Sequence, residues 1–229
     1  MARRAVARWD DDAVTASTTR RYRGLSPEER RADRRVRLLA AGLELYGTVG
    51  YAGASVERLC EAAGLSTRQF YDEFANRDEL LLALYDDVND RAGKAVADAV
   101  TAALADDADA RALLGRALAA YVATTATDPR WAQIAYVTVV GVNARIEEHR
   151  EARRAAWAGM LCELGEQLAE KGKIPGQDLR LTMRAFIGAV NELVHDWCRA
   201  DPRPPMHDVT DTLTHLLHSA VTTPRPPRA

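Results

Sequence analysis

The chain is poor in the features that most often announce an enzyme, a secreted protein or a membrane protein. No run of about 18 or more apolar residues occurs, so no membrane-spanning helix is expected. The start, Met-Ala-Arg-Arg, runs on into Asp10, Asp11 and Asp12 instead of an apolar stretch, so no secretory signal is read and a cytoplasmic location is expected. Cysteine is scarce: Cys60, Cys162 and Cys198 are odd in number, far apart and never in a Cys-x-x-Cys pair. Buried reduced thiols are expected, with a redox-sensing thiol as the alternative. There is no His-Glu-x-x-His, no phosphate-cradling Gly-rich loop and no Gly-x-Ser-x-Gly elbow. Charge of one sign is missing too, since the formal net charge is −2, which excludes a general nucleic-acid coat and demands a local patch for any such binding. With 229 residues, one or two domains are expected.

What is present begins with Ser55 to Phe74, which reads as two short helices hinged at Gly64. Ser55 is placed to cap the first, whose Val56, Leu59, Cys60 and Ala63 share one face. Ser66 is placed to cap the second, in which Phe70 and Phe74 point one way and Thr67, Arg68, Tyr71 and Asp72 another. A short capped helix with Arg and Tyr outward is the pattern of a DNA-reading helix-turn-helix. The positive patch lies beside it: residues 1 to 40 hold 11 Arg against 6 Asp and Glu, whereas residues 41 to 229 carry a balance of −7. Residues 1 to 25 lack an apolar period and read as a flexible basic arm. Arg20, Arg21, Tyr22 and Arg23 are candidates for phosphate or minor-groove contact, against the plain reading of a solvated tail.

Ser26-Pro27-Glu28-Glu29 is a helix start with a capping box, followed by Ala32, Val36, Leu39, Leu43 and Tyr46 as an apolar stripe ending near Gly47 to Gly50. Asn76 and Glu79 open a long helix from about Arg77 to Leu104, striped by Leu81, Leu84, Val88, Ala92, Ala95 and Ala99. Another helix carries Leu113 to Val122 and ends before Asp128. Pro129 starts an apolar segment from Trp131 that reads as a mostly buried helix despite its β-branched content. A charged helix from Ala144 to Gly172 follows, with Ala156, Met160, Leu164 and Leu168 on one side. Two last helices, Asp178 to Arg199 and Asp208 to Thr222, are striped by Phe186, Val190, Leu193, Trp197 and by Val209, Leu213, Leu216, Ala220. Such a pair can pack on itself or on a second copy as a four-helix bundle.

Together, Ala40-Ala41-Gly42-Leu43-Glu44-Leu45-Tyr46, Gly50-Tyr51, Ser55-Val56, Ala62-Ala63-Gly64-Leu65-Ser66, Phe70-Tyr71, Phe74 and Asn76 to Leu81 resemble the tetracycline-repressor (TetR-like) family of transcriptional regulators over roughly residues 33 to 85. The resemblance implies an all-α fold: an N-terminal three-helix DNA-binding unit (26–75), joined by a long helix to a C-terminal ligand-binding and dimerisation domain (76–222), with a basic arm (1–25) before and a disordered tail (223–229) after. It implies a sequence-specific regulator, expected to be a repressor, that binds a palindromic duplex operator as a homodimer through its last two helices and is released by a small-molecule inducer. It makes residues 67 to 73 the recognition helix. Ser66, Thr67, Arg68, Gln69 and Tyr71 are then DNA-contact candidates, Arg68 suited to guanine and Gln69 to adenine, with Tyr51 and Ser55 further candidates. Asp72 and Glu73 depart from the family pattern. Either a carboxylate there meets a cytosine amino group or an arginine, or Glu73 faces away and Asp72 pairs with Arg68.

Candidates for the ligand cavity are Tyr121, Trp131, Tyr136, Trp157, Met160, Phe186, Asn191 and His195, large or polar groups on inward faces, and an apolar or aromatic inducer is expected. The competing reading for each is ordinary core. A rival for the whole chain is a metal-binding helical-bundle enzyme using Glu192 and His195, whose Glu-x-x-His spacing suits two ligands on one helical face. A second such pair is missing, and His215 and His218 supply only an incidental alternative. No catalytic residue, metal or cofactor is assigned. A helical interaction module without DNA affinity is a third reading, which the arginine arm beside the helix-turn-helix disfavours.

Overall fold

The computed structural model describes residues 26–224, which are helical throughout with no strand among them. Arg20, Arg21, Tyr22 and Arg23, with the rest of the arm, lie outside the described residues, as does the tail from residue 225. The helices are α1 (Pro27–Thr48), α2 (Val56–Ala63), α3 (Thr67–Tyr71), α4 (Arg77–Ala105), α5 (Ala110–Ala126), α6 (Pro129–Gln133), α7 (Ala144–Glu170), α8 (Arg180–Arg199) and α9 (Met206–Thr222); a single turn, Gly50–Gly53, joins α1 to α2.

The starts follow local chemistry. Glu29 N–H donates to Ser26 Oγ at 3.1 Å while Ser26 N–H donates to Glu29 Oε2 at 2.6 Å, so the α1 capping box forms reciprocally. At α4, Glu79 N–H donates to Asn76 Oδ1 at 3.0 Å, and Glu79 reaches back one residue further than expected, to the Ala75 N–H at 2.9 Å. Gly64 closes α2 at φ 61°, a left-handed cap that glycine adopts without a Cβ penalty.

Four core faces are rotated from the sequence stripes. On α1 the buried residues are Leu38, Ala41, Gly42 and Tyr46, whereas Ala32 is exposed and Val36 is 65% exposed. Small residues take the contact because α4 crosses closely: a Cβ on Gly42 would lie 2.9 Å from Leu84 Cδ1 and 3.2 Å from Leu80 Cδ2. On α7 the buried face is Ile146, Arg150, Ala158, Gly165 and Leu168, which leaves Ala156 exposed and Met160 half-buried. On α8 and α9 the faces run through Met183, Phe186, Ile187, Val190, Val194 and Cys198, and through Leu213, Thr214, Leu217 and Val221. Leu193 and Trp197 are half-buried, and Leu216 faces outward.

The segment after Pro129 is helical, but α6 gives way to a π-helical turn, Ile134–Thr138, ending before Gly141 at φ 70°. The wider turn buries Ile134, Ala135, Tyr136 and Thr138 together, more sides than a regular helix offers one core. This segment abuts the end of α1. A Cβ on Gly47 would meet Arg130 Cβ at 2.5 Å and Arg130 Cα at 2.9 Å. Gly47→Ala is therefore expected to destabilise the protein by about 1–3 kcal/mol through overpacking, despite alanine's better helix propensity, as read by thermal melting; an unchanged or raised melting temperature would contradict this close approach.

Burial holds the thiols of Cys60 and Cys162 above the ordinary cysteine range and pushes Cys198 up to about 11. Protonated thiols of this kind fit structural cysteines, not redox sensors.

Candidate nucleic-acid interface and interior cavity

The helix-turn-helix is assembled around Leu59, Phe70 and Phe74, all nearly fully buried. Beyond Phe70 the chain turns inward, with Glu73 N–H donating to the Phe70 carbonyl at 3.0 Å and Phe74 N–H to the same oxygen at 2.9 Å. Helix α3 thus ends at Tyr71, two residues short of the expected recognition helix. Its outward surface carries Thr67, Arg68 and Tyr71, all exposed, Tyr71 at 55% and held edge-on to Phe70 with ring centroids 5.4 Å apart. Arg68 has no ion pair among the described residues, so the suggested Arg68–Asp72 bridge does not form, and Asp72 instead closes the helix.

The remaining candidates have structural partners. Ser66 Oγ accepts from the Gln69 N–H at 3.3 Å, and Gln69 Oε1 accepts from the Ser66 N–H at 2.9 Å. With its carbonyl end turned back into this capping box, Gln69 is not free to read adenine through both ends of its amide. Ser55 Oγ accepts from the Arg58 N–H at 3.3 Å, as a cap. The Tyr51 hydroxyl donates to Asp78 Oδ1, its ring stacks on Tyr46, and the Arg77 guanidinium lies 4.1 Å from its centroid. Tyr51 is thereby a brace at the start of α4 and not a free outward group.

Glu73 resolves the departure seen in sequence. Its side chain is 1% exposed, with Oε1 accepting from Arg34 Nη2 at 2.8 Å and Nε at 3.1 Å, and Oε2 accepting from Arg31 Nε at 3.2 Å. Arg35 lies 4.5 Å from the centre of the Phe74 ring, and Arg37 donates to the carbonyls of Ala63 and Gly64 at the end of α2. Part of the N-terminal positive balance therefore clamps α1 to the helix-turn-helix instead of facing a partner. The pairing spans about 40 residues, and no local periodicity could have disclosed it.

Deep in the remaining helices lies a narrow cavity of about 70 Å³, lined by α4, α5, the π-helical turn, α7, α8 and α9. Of the expected residues, Tyr121, Tyr136, Trp157, Phe186 and Asn191 line it. Trp131 does not: it sits under the Arg91 guanidinium, 4.2 Å from its ring centre. Met160 borders a separate surface hollow, and His195 lies against Asp196 with Nδ1 3.5 Å from its carboxylate. Sequence reading missed Tyr85, Asn89 and Arg154. A Tyr and an Asn one turn apart, interrupting the Leu and Ala stripe of α4, were the available signal for the first two.

Inside the cavity the Tyr121 and Tyr136 hydroxyls bond each other, Tyr121 stands edge-on to Trp157 at 5.3 Å, and the Trp157 indole donates to Asn89 Oδ1 at 2.9 Å. Burial pushes the Tyr121 hydroxyl up to about 12 and Tyr136 well above its ordinary value, so both stay neutral donors. Glu192 is exposed on α8, outside this interior, and among the described residues no group of three or more His, Cys, Asp or Glu could hold a metal. The inward-facing ligand set a metal bundle needs is not formed by Glu192 and His195. No helix among the described residues is long and apolar enough to cross a membrane.

Two paths run from this cavity to the helix-turn-helix. Helix α4 presents Leu80 and Leu84 to α1 and, on the next turns, Tyr85, Val88 and Asn89 to the cavity. The π-helical turn presents Ala135 and Tyr136 to the cavity, while Thr138 donates to the Tyr46 carbonyl of α1 at 2.9 Å.

Residues 38–84 match the model for the N-terminal domain of bacterial regulatory proteins of the tetR family. Over 211 residues the chain is 27% identical to the HTH-type transcriptional regulator EthR of Mycolicibacterium smegmatis (strain ATCC 700084 / mc(2)155), covering 91% of this chain and 95% of that protein. The fold is shared with the transcriptional regulator FadR from Bacillus subtilis in complex with stearoyl-CoA (TM-score 0.68, 19% identity, 81% of this chain and 98% of that one). It is shared also with AibR in complex with isovaleryl coenzyme A and operator DNA (TM-score 0.60, 19% identity, 84% of this chain and 100% of that one). Residues 38–84 thus match the DNA-binding unit of the tetR family, a regulator carrying the same unit is similar along nearly the whole chain, and the all-helical fold is common to both solved structures, so the chain is similar throughout to DNA-binding transcriptional regulators of that family.

Proposed function

We propose that the protein is a homodimeric repressor whose hold on a palindromic operator is relieved by a small molecule in the interior cavity. The observation that carries this reading is α4, one uninterrupted helix that both packs on the DNA-binding unit and walls the cavity. Thr67, Arg68 and Tyr71 would face the major groove, two copies placing α3 in successive grooves about one helical turn apart. The dimer would form through α8 and α9, where Leu181 (62% exposed) and Leu216 (44% exposed) leave large apolar side chains outward. A residual metal or catalytic role for Glu192 and His195 has no inward geometry to support it.

The cavity of about 70 Å³ is roughly half the ~150 Å³ known to hold benzene. A ligand must therefore widen it, and widening moves its walls. Because α4 and the π-helical turn are such walls, a ligand that prefers the widened state disfavours the spacing of the α3 helices that fits the operator. Stearoyl-CoA in FadR and isovaleryl coenzyme A in AibR are precedents for small-molecule occupancy in this fold.

The test is operator binding, followed by fluorescence anisotropy, while a library of apolar small molecules is screened for release. Val190→Leu, which takes up part of the cavity with a side chain small enough not to push its walls apart, should weaken release by every active compound yet leave operator affinity within about threefold; release that survives undiminished would remove the cavity from the mechanism. Thr138→Val should leave ligand affinity nearly unchanged, cost about 1 kcal/mol of stability, and shrink the ligand's effect on operator affinity. Undiminished coupling in that variant would leave α4 as the sole path.

A further inference from the structure

We propose that the effector is an apolar monocarboxylate whose carboxylate is held by Arg154, an inference that rests on the ligand-responsive reading above. Most polar groups of the cavity already have partners: the two tyrosine hydroxyls have each other, Trp157 has Asn89, and the Asn191 amide donates to the Ile187 carbonyl at 2.7 Å. Arg154 is different. It is half-buried, it lines both the cavity and an adjoining groove between α7 and α8, and it has no hydrogen bond or ion pair among the described residues. A guanidinium keeps its charge at every physiological pH, and its planar fork matches a carboxylate through two parallel hydrogen bonds.

The groove sets the charge of the ligand. Glu148 and Glu151 stand along it with Arg154 and Arg184, a formal sum of zero. A coenzyme A thioester would bring several phosphate charges against those two glutamates, whereas a single carboxylate can meet Arg154 and leave its apolar body to Tyr85, Trp157 and Phe186.

Calorimetric titration of the full chain with octanoate, phenylacetate, their neutral amides and octanoyl-CoA tests this. At least one carboxylate should bind about tenfold to a hundredfold more tightly than its amide. Arg154→Gln should erase that preference while leaving amide affinity within about threefold, and Arg154→Lys should restore part of it. No preference in the wild type, a preference that survives Arg154→Gln, or tighter binding of octanoyl-CoA than of octanoate would each overturn the proposal. Operator release by neutral compounds without a carboxylate preference would sink the Arg154 assignment alone. Release by no compound of any class would sink the ligand-responsive reading with it.

Discussion

Arg34→Ala is expected to destabilise the protein by about 2–3 kcal/mol and to lower the melting temperature by roughly 5–10 °C, because it strips the buried Glu73 carboxylate of the guanidinium that donates twice to its Oε1. Arg31 remains, but it is 69% exposed and contributes one hydrogen bond, so it compensates only in part. The loss falls on the clamp between α1 and the segment that follows α3, and operator affinity should fall with it although Arg34 is not assigned a DNA contact. The double variant Arg34→Met, Glu73→Met should recover most of the stability, since an apolar pair of similar volume replaces a buried ion pair at little cost. Thermal melts of Arg34→Met, Glu73→Met and the double close a cycle. A single variant as stable as the parent would mean the clamp contributes nothing.

Arg68→Ala and Tyr71→Ala are expected to behave in the opposite manner, with folding intact and operator binding lost. Both side chains are exposed and lie outside the buried core, so melting temperatures should stay within about 1–2 °C of the parent. Loss of a base-reading arginine typically costs about fivefold to a hundredfold in affinity and relaxes sequence preference at one position, whereas loss of a phosphate contact weakens all sequences alike. The pair therefore separates readout from anchoring: Arg68→Ala should change which operators are bound, and Tyr71→Ala mainly how tightly. Anisotropy titrations against the operator and single-base variants measure both. If either substitution unfolded the protein or split a dimer while leaving affinity per folded dimer unchanged, the outward face of α3 would have been misassigned.

The parts of this structure written in local sequence were legible before any coordinates. Ser26 with Glu29, Ser66 before α3, Asn76 before α4 and Gly64 after α2 each act within a few residues, and their geometry follows from which side chain can reach which amide. Contacts between distant segments were not. The α1 stripe through Val36 and Leu39 counted apolar residues, but the close crossing with α4 selects Ala41 and Gly42 for their small size. Glu73 looked like an intruder at the DNA surface because its partners, Arg31 and Arg34, lie about 40 residues away. In the cavity, Tyr121, Tyr136, Trp157, Phe186 and Asn191 could be placed by helical facing alone, whereas Trp131 was drawn out by Arg91 and Arg154 hid in a charged helix. The π-helical turn that ties Tyr136 to α1 through Thr138 has no signature in the apolar run that encodes it.

The central claim is that two copies of this chain read one palindromic operator through α3. The most direct measurement is selection from a random duplex library at near-physiological salt, using the full chain and sequencing the bound fragments. The expected result is a single enriched palindrome whose half-sites lie about one helical turn apart, lost with Arg68→Ala. Enrichment of an unpaired half-site, or of no sequence by a protein that is folded and dimeric, would contradict it.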